Sequence, residues 1–330
     1  MVITFMIGNG FDLACGLKSS YKDVYEGYVK TQSKSELIAK FKKDLDENWE
    51  NWADFEMGMA EYAQNFNNEA ELIECVMDFR AFMMMHLRNE ERHFLKKFAS
   101  LQRKHGVEIA DFVNEGFLTF YLGGIKPLYS VYEKAKFQGP IIYRALNFNY
   151  TKTLNAVILA INNLYDVINI HGTLEEKNVA VGVDCINQMR IKFELSSKGK
   201  RTFVKPCFND EYDPKKVENA IRMIHNSTWI CVFGLSLGDS DLTWRNEIVD
   251  WLRSDREHQL FVFDIDCCKK RTDDKLEIMN IEDDYREQYA QKLGISSEES
   301  KMQIHIPVGN TFVEFYGFLD DIEKADKLIA

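Results

Sequence analysis

Two patterns of apolar residues share this chain. The first is short and unbroken. Val2, Ile3, Thr4, Phe5, Met6 and Ile7 run without a charge into Gly8-Asn9-Gly10-Phe11-Asp12. A β-rich apolar run of that length predicts a strand buried on both faces, as in a parallel sheet. Similar runs occupy residues 141–148, 167–170, 179–183, 228–233 and 260–265, with a short one at 304–306. The second pattern is helical. Leu37, Ile38, Phe41 and Leu45 recur at helical spacing within residues 35–48, and Trp49, Trp52, Phe55 and Met59 extend that face. Leu72, Val76, Phe79, Met83 and Leu87 form a stripe that Phe94, Leu95, Phe98 and Leu101 continue. This predicts a helix over 69–105, with room for one break, capped by Asn68 and stopped by Gly106. Further helices are expected over 107–136, over 153–164, from Pro214 to His225, up to about Arg253, over 283–293 and from Thr311. The Met83-Met84-Met85 cluster reads as core filler. Residues 196–205, with Lys198, Lys200, Arg201 and Lys205, read as a basic loop, with phosphate contact as the functional alternative.

Strands that alternate with helices predict an α/β protein with a Rossmann-like, open, mostly parallel sheet. The helical residues after the first strand predict a large insertion. The expected division is a nucleotide-binding domain of residues 1–20 and 138–330 and a helical insertion of residues 21–137. Ligands of such sheets bind beyond the carboxyl ends of the strands. Four predicted strand ends carry polar or glycine residues: Gly8-Asn9-Gly10, Asn149, His171-Gly172 and the stretch from Gly234 to Asp241. One such end is ordinary turn chemistry; four at one edge predict a pocket.

Composition narrows the partners. A net charge of −11 opposes nonspecific attraction to nucleic acid or anionic lipid. No apolar run approaches the roughly 20 residues of a membrane span, and no basic leader precedes the first strand, so a cytoplasmic protein is expected. The seven cysteines are scattered without a C-x-x-C pair, which predicts reduced thiols and no structural zinc. No metal and no tightly bound cofactor is expected.

Each candidate also has a structural reading. His171 before a glycine suits a turn, and Asn149 suits a cap of its own turn. Asp239 and Asp241 suit a helix start better than a metal. Asp54 and Glu56, two apart, would not share a helix face.

The ordered set Ile7-Gly8-Asn9-Gly10-Phe11-Asp12, Trp52-Ala53-Asp54-Phe55-Glu56, Asn147-Phe148-Asn149-Tyr150-Thr151, Ile170-His171-Gly172 and Phe233-Gly234-Leu235-Ser236-Leu237-Gly238-Asp239-Ser240-Asp241 resembles the AbiH family of bacterial abortive-infection proteins. More distantly it is similar to the sirtuin-type NAD-binding fold. That resemblance implies a pyrophosphate site at Gly8, Asn9 and Gly10, and catalysis by Asn149 and His171. It implies further cofactor contacts at Asp12, Gly172, Gly234, Ser236 and Asp239, with Asp264 near the adenosine ribose. Thr151 stands where many sirtuins carry an acid, and the four-cysteine zinc module is missing, so deacetylation is not expected. The implied activity is hydrolysis of NAD at the nicotinamide–ribose bond in antiphage defence. The alternatives are a nucleotide-binding sensor without turnover and, against the charge balance, a nucleic-acid toxin using residues 198–205. A homo-oligomer and a phage-derived trigger are the macromolecular partners the resemblance leaves open.

Overall fold

The computed structural model describes residues 1–52, 54–119, 131–135, 137, 139–159 and 164–329. Six strands form one sheet: β1 (Val2–Ile7), β2 (Ile142–Asn147), β3 (Leu164–Asn169), β4 (Trp229–Phe233), β5 (Gln259–Phe263) and β6 (Ile304–His305). Their order is β3-β2-β1-β4-β5-β6, and every pairing is parallel. This is the strand order of the Rossmann sheet, in which the order reverses between β1 and β4.

The side-chain alternation of β1 explains why its run is apolar throughout. Ile3, Phe5 and Ile7 enter a core on one face with Phe94, Phe98, Phe312 and Phe315. Met6 enters a core on the other face with Leu146, Ile230, Val232, Ile248 and Trp251. Neither face meets water, so neither needs polar residues.

The helices after β1 are α1 (Asn9–Ala14), α2 (Tyr21–Tyr28), α3 (Glu36–Glu47), α4 (Phe55–Tyr62) and α5 (Glu69–Val113). Ser20, Ser35, Asp54 and Asn68 cap α2 to α5 with side-chain oxygens. These helices build a third, aromatic core around Tyr25, Tyr28, Phe41, Trp52, Phe55 and Phe79. Phe203 and several apolar residues between 174 and 204 join it. The far half of α5 packs instead on the sheet, through Phe94, Phe98 and Leu101.

After β2 comes α6 (Thr153–Leu159); after β3 come α7 (Ser197–Phe203), α8 (Lys205–Tyr212) and α9 (Pro214–His225). Beyond β4 are α10 (Leu242–Ser254), α11 (Ile265–Cys268), α12 (Lys275–Leu293), α13 (Ser297–Gln303) and α14 (Phe315–Ile329). Among the described residues no helix is long and apolar enough to cross a membrane.

Several expectations change. The first helix begins at Asn9, with Gly8 as its N-cap, so the glycine turn is already helical. Gly106 does not stop α5; the helix kinks at His105 (φ −121°, ψ 27°) and continues. Its predicted successor over 107–136 begins inside α5, and much of it lies outside the described residues. Leu164 opens β3 instead of closing a helix. Residues 179–183 are not a strand; Val183 makes a single bridge to Val204. The expected basic loop at 196–205 is helix α7 plus the first residue of α8. Asp274 caps α12, so that helix starts at Lys275 and not near Asp283.

Candidate functional site

Two turns meet where the strand order reverses. The Gly8 N–H donates to the Phe233 carbonyl and the Gly10 N–H to the Gly234 carbonyl, both at 2.9 Å. Gly234 has φ +62°, and a Cβ there would lie 2.4 Å from the Gly10 Cα. A Cβ on Gly8 would meet the Gly234 oxygen at 2.5 Å. These glycines are therefore required for the β1 and β4 turns to touch each other. The two amides are engaged across that contact.

Asparagines tie the neighbouring strand ends together. Asn149 is buried, and its Nδ2 donates to the Gly8 carbonyl at 3.0 Å. Its backbone N–H donates to Asn147 Oδ1 at 3.1 Å, and Asn147 Nδ2 donates to Asn169 Oδ1 at 3.0 Å. Asn149 thus braces the β1 turn and does not cap its own. Asp12 lies beside this ladder, buried, accepting from the Thr151 hydroxyl at 2.7 Å, with Thr153 donating to Thr151 behind it. Its Oδ1 is buried without a partner. Burial, partly opposed by the threonine hydroxyls, pushes its carboxyl up to about 7.

The β3 end supplies His171. Its ring is buried, edge-on to Phe148 and tilted against Tyr150. Nε2 lies 3.9 Å from Asp241 Oδ1, while Nδ1 is buried with no partner. Burial, reinforced by the charge of Lys205, pushes the imidazole down to about 4 despite Asp241. It is uncharged at neutral pH. The tautomer that suits this setting carries its proton on Nε2, toward Asp241, leaving Nδ1 an acceptor.

The helical residues close the site from the other side. Asp54 caps α4 and accepts from the Ser240 hydroxyl at 2.9 Å. Glu56, in the first turn of α4, accepts from Lys205 Nζ at 2.9 Å and from the Gly182 N–H at 3.2 Å. Lys205 Nζ also donates to the Ser240 carbonyl at 3.0 Å and lies 3.7 Å from Asp241 Oδ1. Burial pushes Glu56 up to about 7 against the pull of Lys205. Burial works to lower Lys205, but Glu56 and Asp241 outweigh it and hold the ammonium charged. Asp241 is likewise held below its ordinary range: burial opposes this, and Lys205 and His171 prevail.

Asn149, Asp12, Thr151, His171, Asp54, Glu56, Lys205, Ser240, Asp241 and the glycine turns border one cleft of about 570 Å³ at the carboxyl edge, within the ~300–1,000 Å³ common for small-molecule sites. Of the sequence candidates, Gly8, Asn9, Gly10, Asp12, Asn149, His171, Gly234, Ser236 and Asp264 line it. Asn9 is anchored to Ser19. Asp264 caps α11 with one oxygen and accepts from the Tyr289 hydroxyl with the other. Two candidates lie elsewhere. Gly172 (φ +78°) borders a separate cleft beside Asn178, because its backbone packs against that residue. Asp239 is exposed and pairs with Arg245 at 3.1 Å.

Glu56 and Lys205 are the residues that spacing under-reads. Asp54 and Glu56 reach one cleft because Asp54 is an extended cap (φ −111°, ψ 110°), so the helix-face argument does not apply to it. Lys205 carries no local signal; its burial is explained by partners far along the chain, Glu56 before it and Ser240 and Asp241 after it.

The fold and the cleft together define a Rossmann-type α/β protein whose site lies at the reversal point of the sheet. A family model described as Bacteriophage abortive infection AbiH matches residues 4–264, and the chain belongs to that family. Its setting is therefore abortive infection, a defence against phage. No curated protein and no solved structure matches the chain.

Proposed function

We propose that this AbiH protein binds NAD along the carboxyl edge of its sheet and hydrolyses the nicotinamide–ribose bond. One observation carries the reading: the ends of β1 to β5 all reach a single cleft astride the β1–β4 reversal. That is where this strand order receives a dinucleotide.

Cleavage breaks the bond between ribose C1′ and the ring nitrogen, and the electron pair leaves with neutral nicotinamide. Water then bonds to C1′, giving ADP-ribose and one proton. The departing ring needs no acid, and the cationic sugar is reactive. The site must therefore orient the water and exclude the rest of the solvent, more than it must deprotonate strongly. Asn149, fixed by Gly8, would hold the ribose or the water, and His171 Nδ1 would accept the proton as the new bond forms. An imidazole at about 4 is a weak base, which suffices for attack on an oxocarbenium-like carbon.

The test follows nicotinamide release by purified protein, beside calorimetric titration with NAD. Asn149→Ala and His171→Ala are expected to lower kcat by roughly 10²-fold or more while leaving the fold intact. Unchanged turnover in both variants removes the assigned roles, and a wild type that neither binds nor cleaves NAD removes the reading.

The nucleotide sensor has one observation in its favour: the Asn149 amide is already engaged with Gly8. Binding of NAD without nicotinamide release selects it. The nucleic-acid reading loses ground, because Lys205 is buried and Arg201 is paired with Glu211 at 2.6 Å.

A further inference from the structure

The cleft is strongly unbalanced in charge. It is lined by six carboxyl groups, Asp12, Asp54, Glu56, Asp241, Asp264 and Asp266, against two ammonium groups, Lys205 and Lys269. That is an odd lining for a ligand defined only by its phosphates. The imbalance has a deep focus. Glu56 and Asp241 are both buried and share Lys205, at 2.9 and 3.7 Å. Among the described residues Lys205 is the only lysine or arginine paired with either of them. His171 adds no positive charge, since its ring is neutral. Buried charge needs a partner: with Asp241 held ionised, one ammonium balances one carboxylate, and every proton that Glu56 gives up as pH rises through about 7 leaves a negative charge over. A second, separate feature marks the same place as incomplete. His171 Nδ1 borders this cleft, buried and without a partner, next to Asp241.

We infer that Glu56 and Asp241 form a cation-selective subsite that receives the positively charged ring of the oxidised dinucleotide and the sugar cation it leaves behind. This rests on the NAD reading above, whose chemistry already requires the oxidised form, and adds the residues that select that form. It also makes α4, which carries Glu56, part of the reaction site. The sheet supplies the nucleotide cleft, and the helical residues supply the charge that distinguishes one ligand from another. As the bond breaks, the positive charge moves from the ring nitrogen to the sugar, and a carboxylate beside it is favoured throughout.

The experiment compares two ligands whose rings differ in charge. Carbocyclic NAD⁺ keeps the pyridinium charge but lacks the ring oxygen that makes the bond labile; NADH has a neutral ring. Affinities are measured by calorimetry for wild type, Glu56→Gln and Asp241→Asn. Both substitutions keep shape and one accepting oxygen, and they sit on different elements, so a folding failure in one leaves the other. Wild type is expected to prefer the cationic ligand by about tenfold or more. Each variant is expected to reduce that ratio severalfold through the cationic ligand, with NADH affinity within about twofold of wild type. Equal affinity of wild type for both ligands, or a ratio unchanged in both variants, overturns the subsite while leaving dinucleotide binding intact. A wild type that binds neither ligand overturns the NAD reading and this inference with it.

Discussion

Asp12 shows how a single residue carries a consequence that its surroundings set. In the strand-to-helix turn it reads as a polar residue near a phosphate. In the folded chain it is buried, bonded through one oxygen, and pushed up to about 7. Its effect on stability has a definite sign. Between about pH 4 and 7 the unfolded chain carries this group ionised, while the folded chain keeps the proton. The stability it contributes is full below its ordinary range and is lost as pH rises through about 7. Roughly three pH units at ~1.4 kcal/mol each set an upper bound of about 4 kcal/mol. Glu56, also raised to about 7, acts in the same direction. Asp12→Asn isolates one of the two. Urea unfolding at about pH 4.5 and about pH 8 is expected to show the variant gaining on wild type at the higher pH by up to that bound. A gap that does not change with pH would mean that Asp12 is ionised in the folded state.

At the scale of elements, the contact between the β1 and β4 turns is the joint most open to a single test. Gly234 combines φ +62° with a neighbour that any Cβ would strike. Gly234→Ala places a side chain in a left-handed conformation, at about 1–2 kcal/mol, before the clash with Gly10 is counted. The two turns must separate, so the 2.9 Å bond from Gly10 to Gly234 is lost as well. A fall in Tm accompanied by loss of NAD affinity is expected, because the same joint forms the cleft. Retention of both would mean that the turns tolerate separation. The elements that the sequence revealed and those it hid differ for a physical reason. Buried parallel strands have little choice but to be apolar, so the runs at 2–7, 141–148 and 228–233 mark β1, β2 and β4 to within a residue or so. Helix α9, with proline at its first position, was legible to the residue. Helices α7 and α8 were not, because Lys198, Lys200 and Arg201 face outward and the anchoring Phe203 stands alone among them. The kink at His105 was also hidden: a glycine can end a helix or sit within one, and packing decides. The four strand ends were legible as positions: His171, Asn149 and the glycine turns come to one cleft because each follows a strand of the same sheet. The omission of Gly172 and Asp239 from that cleft depended on which way each turn faces, which residue type does not encode.

For the molecule as a whole, the question is what holds the helical residues against the sheet at the cleft. Polar bridges do so at this rim: Asp54 with Ser240, and Lys205 with Glu56 on one side and with Ser240 and Asp241 on the other. Lys205 is the hub, because it touches α4 on one side and the β4 turn on the other. Breaking a buried ion pair by removing one partner typically destabilises by about 3–5 kcal/mol, since the other charge is left buried and unpaired. Lys205→Met is therefore expected to lose roughly that amount in urea unfolding. Glu56→Gln alone keeps one acceptor oxygen, for Lys205 or for the Gly182 N–H but not for both, and leaves Lys205 paired with Asp241, so its loss should be smaller. Once Lys205 is gone, Asp241 and Glu56 are both left without a cation, and replacing Glu56 removes one of the two, which should recover part of the loss. The double variant Lys205→Met, Glu56→Gln is then more stable than the sum of the single effects by about 0.5–3 kcal/mol. Strict additivity would show that Lys205 is held by Asp241 and Ser240 alone. The joint between α4 and the β4 turn would then rest on the bond from Ser240 to Asp54 and on the aromatic core around Phe55, Phe79 and Phe203, which contains no charge, and neither would depend on the Lys205 cation.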